Sequence, residues 1–89
     1  MPTISEFYGI IIYMYFNDNE RHHEPHIHAW YSGDEAVFSI ISGDCLRGEL
    51  PNKANKKIVK WINLNRKKLL KCWNLAIKQE ELPKIRGLE

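Results

Sequence analysis

The hydrophobic pattern of this chain changes at Pro51, and this change most constrains the fold. Before Pro51, short segments rich in β-branched and aromatic residues are separated by turn residues, which is typical of strands. After Pro51, apolar residues recur at the helical spacing of about 3.6 residues. The chain has 89 residues, enough for one domain (1–89) with one modest core. A run of strands followed by a helix predicts an α+β fold.

The first half of the chain predicts a four-stranded antiparallel β-meander. Turns at 32–34 (Ser-Gly-Asp) and 42–44 (Ser-Gly-Asp) are so short that they join only antiparallel neighbours. The first strand is apolar in both of its alternating sets of residues. We therefore expect it to be central and covered on both faces, or paired with another subunit in a homodimer. The predicted strands are 8–16, 26–31, 35–41 and 45–50.

The second half predicts an amphipathic helical segment over 51–81 that packs on the sheet. Pro51 suits a helix start, Pro83 is expected to end the helix, and the tail 83–89 is expected to be loose. One long helix with a bend is favoured, and two helices broken near Asn65 are the alternative. The apolar face is predicted to consist of Ala54, Ile58, Trp61, Ile62, Leu69, Cys72, Trp73 and Ala76.

Cysteine usage and the absence of targeting signals indicate a cytoplasmic protein. Cys45 and Cys72 are too few for the disulfide framework of a small secreted domain. The amino-terminal segment has no basic region and no cleavage site of the secretory type. The apolar run 9–16 is much shorter than the ~20 residues that a membrane span needs. No membrane partner is expected.

A histidine cluster, HHEPHIH at 22–28, is the densest chemical feature of the sequence. On a strand, His26 and His28 project from one face about 7 Å apart. This spacing suits a general base and acid, with Arg47 or a helix lysine holding a phosphate, as in a metal-independent ribonuclease. With His22 it also suits a metal site. Because tandem histidines without an HExxH motif are not a specific metal signature, no cofactor is expected, and zinc or nickel is the alternative. The structural interpretation is a set of polar side chains on an open sheet face.

A basic helix face is the second candidate site. Residues 1–50 contain two basic and eight acidic residues, whereas residues 51–89 contain eleven basic and three acidic ones. On a helix, seven lysines fall on one arc opposite the apolar face: Lys53, Lys56, Lys57, Lys60, Lys67, Lys71 and Lys78. Such an arc can bind a phosphate backbone, although it is also typical of a solvated helix surface. The scarcity of arginine and the absence of interleaved aromatic residues argue against base-specific recognition.

Four segments resemble a small bacterial family catalogued as domain of unknown function 4160. They are residues 2–15 (PTISEFYGIIIYMY), the H-x-x-P-H-I-H pattern at 22–28, residues 42–51 (SGDCLRGELP) and residues 65–73 (NRKKLLKCW). Glu24 replaces a proline of the family's usual H-x-P-P-H-F-H pattern. Members are often encoded beside another very small protein, in an arrangement similar to a toxin–antitoxin pair.

The resemblance implies a component of a toxin–antitoxin-like pair that binds a small protein encoded nearby. The charge asymmetry and the basic helix face add nucleic acid as a further candidate ligand. This function ranks first among the expectations because it depends least on the role of any single residue. The ribonuclease built on His26 and His28 is one alternative. A histidine-based module that binds a metal or senses pH is the other, since clustered imidazoles gain charge below a pH of about 6.5.

Overall fold

A computed structural model of the chain describes residues 3–15 and 24–89. Five strands form one antiparallel sheet in chain order, and one long helix follows them. This arrangement confirms the α+β fold, with one strand more than the four expected. The elements are β1 (Thr3–Phe7), β2 (Ile10–Tyr13), β3 (His26–Tyr31), β4 (Asp34–Ser39), β5 (Cys45–Gly48) and α1 (Asn52–Ile77).

The extra strand is β1, which precedes the first predicted strand and is joined to it by a tight turn. Tyr8 and Gly9 both adopt positive φ, 50° and 78°, so the chain reverses and Phe7 pairs with Ile10. The strand predicted over 8–16 is therefore found only as Ile10–Tyr13, because its first two residues form the turn, and position 16 lies outside the described residues. Two-residue hairpin turns require such left-handed conformations, and Gly9 supplies one of them at no steric cost. The predicted strand 26–31 is confirmed, and the next two strands end two residues early.

Helix α1 is continuous but bent, as favoured from the sequence. Asn65 departs from helical geometry (φ −121°, ψ 17°), and its side-chain amide donates a hydrogen bond to the Trp61 carbonyl oxygen at 3.0 Å. All eight residues of the predicted apolar face are buried. The helix ends at Ile77 rather than near Pro83, because Gln79 adopts a left-handed conformation (φ 58°). The Glu80 N–H then donates to the Leu75 carbonyl oxygen at 2.9 Å, which satisfies the last turn.

The core lies between α1 and one face of the sheet. Alternate residues of β3, Ile27 and Ala29, pack in the same buried cluster as Trp61 of α1. The Trp61 ring is completely buried and contacts Phe7 of β1, with ring centroids 5.4 Å apart. Alternation along β3 places its histidines on the other face of the sheet, although His26, at the start of the strand, still contacts Trp73 of α1.

The segment after α1 packs against β1, whereas the sequence led us to expect a loose tail over 83–89. The Ile85 N–H donates to the Ile4 carbonyl oxygen at 2.7 Å, and the Ile85 side chain is buried. The Trp61 indole N–H donates to the Arg86 carbonyl oxygen at 2.9 Å. A Cβ atom on Gly87 would lie only 2.8 Å from the Glu6 carbonyl oxygen, so the close approach depends on glycine. The tail thus covers the outer edge of β1.

In the part of the chain that the structure describes, no helix combines the length and the apolar composition needed to cross a membrane.

Candidate functional site

The two strand histidines lie side by side, with their ring centroids 5.3 Å apart. His26 is completely buried, and its Nδ1 lies 2.8 Å from the Glu24 carbonyl oxygen. Because a carbonyl oxygen only accepts hydrogen bonds, Nδ1 must carry the hydrogen, which leaves Nε2 as the basic nitrogen of the neutral ring. Trp73 of α1 packs against the same imidazole, with ring centroids 4.9 Å apart.

His28 is enclosed by aromatic rings. Tyr13 stacks on it at a centroid distance of 5.3 Å, and Tyr15 meets it edge-on at 4.5 Å. Only 5% of His28 is exposed, and a Glu35 carboxylate oxygen lies 3.8 Å from its Nδ1. We call Tyr13, Tyr15, His26, His28 and Trp73 the histidine–aromatic cluster. Its packing resembles that of a second, smaller core more than that of an open cleft.

Arg47 lies on the same sheet face as His28 but is separated from it by a strand. Val37 of β4 pairs with His28 on one side and with Arg47 on the other. Two strand spacings place the backbones of His28 and Arg47 about 10 Å apart. Arg47 is exposed, whereas both histidines are buried. The structure therefore brings together two of the three predicted catalytic residues, and the ribonuclease site stays a prediction.

The predicted metal site cannot be assembled from the described residues alone. His22 lies outside them, so the set of His22, His26 and His28 stays a prediction. Within residues 3–15 and 24–89, no group of three His, Cys, Asp or Glu side chains could hold a metal ion. Glu35 beside His28 is the carboxylate that the sequence did not associate with the cluster. Its place follows from the β3–β4 register, which a sequence pattern does not specify.

The predicted basic arc forms one face of α1, which we call the lysine face. Six of its lysines are exposed, and the seventh, Lys57, is half-buried. The Lys57 Nζ lies 5.2 Å from the centre of the Tyr8 ring. Within the described ranges, none of the seven forms an ion pair with a carboxylate. Because the apolar face keeps its register across the bend at Asn65, the opposite face carries its charges along both halves of the helix.

Two aromatic residues missed by the sequence analysis lie beside the lysine face. Tyr8 and Tyr31 line a small cleft of about 180 Å³ together with Ile10, Lys53, Ala54 and Lys57. The interleaving of aromatic and basic residues is thus made by the fold, since the tyrosines come from the sheet and the lysines from α1. The dipeptide Tyr8–Gly9 inside an apolar run was the available signal, because it marks a turn.

The two cysteines should differ sharply in reactivity. Cys45 is exposed, whereas Cys72 is buried. Burial raises the pKa of the Cys72 thiol, and the charge of Lys71 only partly opposes that shift. Since the thiolate is the reactive form, iodoacetamide should modify Cys45 in the folded protein and Cys72 only after unfolding in urea. Mass spectrometry of peptides after timed labelling measures both rates, and equal rates would contradict the buried position of Cys72.

The same shift predicts a loss of stability at alkaline pH. The folded state raises the pKa of Cys72, so the stabilising contribution is present below the unfolded value and is lost as pH rises through the folded one. The free energy of unfolding should therefore fall above a pH of about 8.5. Urea unfolding across this range should show a smaller fall for Cys72→Ala than for Cys45→Ala.

Comparison with known proteins identifies a family. A family model described as a domain of unknown function, DUF4160, matches residues 9–74, which is well over half of the chain. No curated protein and no solved structure gives a significant match. The matched region runs from the β1–β2 turn almost to the end of α1, and it contains the histidine–aromatic cluster and most of the lysine face. The chain belongs to the DUF4160 family.

Proposed function

We propose that this chain is the component of a toxin–antitoxin-like pair that binds a small partner protein and uses its lysine face to bind nucleic acid. The observation that carries the proposal is the line of exposed lysines on α1, none of which is neutralised by a carboxylate among the described residues. The pairing with a small neighbouring protein is carried by the resemblance to the family and by the small size of the chain.

Nucleic acid is the ligand that the geometry of the lysine face favours. The face extends from Lys53 to Lys78, which spans about 38 Å of helix at 1.5 Å per residue. A phosphate backbone presents charges at short, regular intervals over such a length, and each neutralised phosphate releases a counterion. The protein as a whole has a net charge of only +2, so the attraction is local to this face.

The sheet offers a separate surface for a protein partner. The edge of β1 is covered by the tail, whereas β5 forms the other edge and all four of its residues are exposed. Leu46 on this strand is 46% exposed, and Ile41 in the preceding turn is 53% exposed. An exposed strand edge with apolar side chains can accept a strand from another protein. The two binding activities would therefore use different sides of the molecule.

Two experiments test the proposal. Fluorescence anisotropy with a labelled RNA and a labelled DNA should give affinities that fall steeply with salt, by about 0.9 in log K per log unit of salt for each phosphate contacted in a duplex. Co-expression with the neighbouring gene product should yield a complex, which Leu46→Lys should weaken. If neither nucleic acid binds at low salt, or if no complex is recovered, the proposal is wrong.

The ribonuclease hypothesis has less support from the geometry. A general base must reach the proton that it removes, yet His26 is completely buried and His28 is 5% exposed. If the double variant His26→Ala, His28→Ala cleaves RNA as well as the parent does, this alternative is excluded. The pH-sensing hypothesis rests on the proximity of His28 to Glu35, and an unchanged oligomeric state between pH 8 and pH 5.5 would count against it.

A further inference from the structure

We propose that the β1–β2 turn and the first turns of α1 form a subsite for single-stranded nucleic acid, in which a base stacks on Tyr8 while Lys53 and Lys57 contact the adjoining phosphates. The inference rests on the proposed nucleic-acid binding, and it names the strand form and the position at which a base is bound.

The first observation is the unfavourable position of Tyr8. A tyrosine in the left-handed region (φ 50°) is strained, and two-residue hairpin turns prefer asparagine, aspartate or glycine there. The burial of the Tyr8 side chain does not compensate for this strain, because the side chain remains 58% exposed. A bulky aromatic ring held in solvent by a strained turn is a feature of binding sites more than of stable hairpins.

The second observation is the surroundings of that ring. Tyr8 borders the cleft of about 180 Å³ whose other walls include Tyr31, Lys53 and Lys57. The cleft is smaller than the roughly 300 Å³ of the smallest typical ligand pockets, so it suits part of one planar ring and not a whole cofactor.

The chemistry of these groups selects an unpaired base linked to phosphates. Stacking on an aromatic ring tolerates every base, because each base has a π face, and a nearby cation strengthens the contact. The Lys57 ammonium is already held 5.2 Å from the Tyr8 ring centre, so a phosphate next to the stacked base would meet a positioned charge. Bases in a duplex are stacked on one another and do not offer that face. The subsite therefore distinguishes single strands from duplexes, which the lysine face alone does not.

The decisive variant is Tyr8→Asn, which removes the ring and suits the turn. Its melting temperature should equal or exceed that of the parent, since asparagine is favoured at positive φ. Its affinity for a labelled oligouridylate should fall about 5- to 150-fold, as expected for the loss of one stacked base. Its affinity for a duplex of oligouridylate and oligoadenylate should not change. Tyr8→Phe keeps the ring and should bind both ligands as the parent does.

The outcomes separate this subsite from the function on which it rests. If the parent binds no nucleic acid, both proposals fall. If the parent binds oligouridylate and Tyr8→Asn binds it equally well, the stacking subsite is wrong and the lysine face stands. Ultraviolet cross-linking of oligouridylate to the parent gives an independent result. Peptide mapping should locate a cross-link at Tyr8 or Tyr31, and cross-links confined to other residues would overturn the assignment.

Discussion

Replacing Lys56, Lys60, Lys67 and Lys71 together by glutamine is expected to weaken nucleic-acid binding about 25- to 600-fold near physiological salt. All four side chains are exposed on the lysine face, and they lie on both sides of the bend at Asn65. If between two and four of them each contact one phosphate, each contact contributes roughly fivefold through counterion release. The slope of log K against log salt should become shallower by about 0.9 for each duplex phosphate contact that is lost.

A matched control separates the lysine face from net charge. The pair Lys60→Gln, Lys71→Gln lowers the net charge by two, and Lys84→Glu does the same in the tail, outside α1. Only the pair on the helix should reduce the affinity by an order of magnitude or more, as measured by anisotropy at one fixed salt concentration. An equal loss for Lys84→Glu would mean that the attraction is non-specific. Circular dichroism should show that the helical content of both variants is unchanged, because these lysines make no contact in the core.

Trp61→Ala is expected to have the largest effect on stability, a loss of about 3–5 kcal/mol. The ring is completely buried, it packs on Phe7, and its indole N–H holds the tail through the Arg86 carbonyl oxygen. A domain of this size has a free energy of unfolding of roughly 5–10 kcal/mol, so the substitution removes a large part of it. Urea unfolding followed by circular dichroism measures the change.

The same truncation at an exposed tryptophan provides the comparison. Trp30 is 40% exposed on the opposite face of the sheet, so Trp30→Ala should cost clearly less than Trp61→Ala. Trp61→Phe should cost less than Trp61→Ala, because it retains part of the packing while it removes the rest of the indole and its hydrogen bond to the Arg86 carbonyl oxygen. A similar midpoint for Trp61→Ala and the parent would contradict the position of this ring in the core.

The amphipathic helix could be predicted from the sequence because its pattern is local. All eight residues predicted for its apolar face are buried, since a repeat at 3.6 residues specifies which side chains share a side whatever the partner. The number of strands could not be predicted so easily. The apolar run includes Tyr8 and Gly9, so the predicted strand began there. The left-handed conformation of both residues instead makes a turn, which lets residues 3–7 pair with residues 10–13 as a further strand.

The candidate site was only partly predictable because most of its contacts are long-range. Alternate positions on one strand predicted that His26 and His28 share a face. The pairing of β3 with β2 and β4, which no local pattern specifies, brings Tyr13 against His28 and places Glu35 nearby. The same register leaves Val37 between His28 and Arg47, which separates two residues that the sequence analysis had combined.

The contact between the tail and β1 also bears on the order of events during synthesis. The edge of β1 acquires its hydrogen bond from Ile85 and its cover from the residues around Gly87, which leave the ribosome long after β1 itself. Until the tail has been synthesised, the hairpin of β1 and β2 has an unpaired edge. Unpaired strand edges can pair with other chains, which leads to aggregation. Variants that weaken this contact should therefore first reduce the yield of soluble protein in the cell, and a chaperone that shields strand edges should restore it.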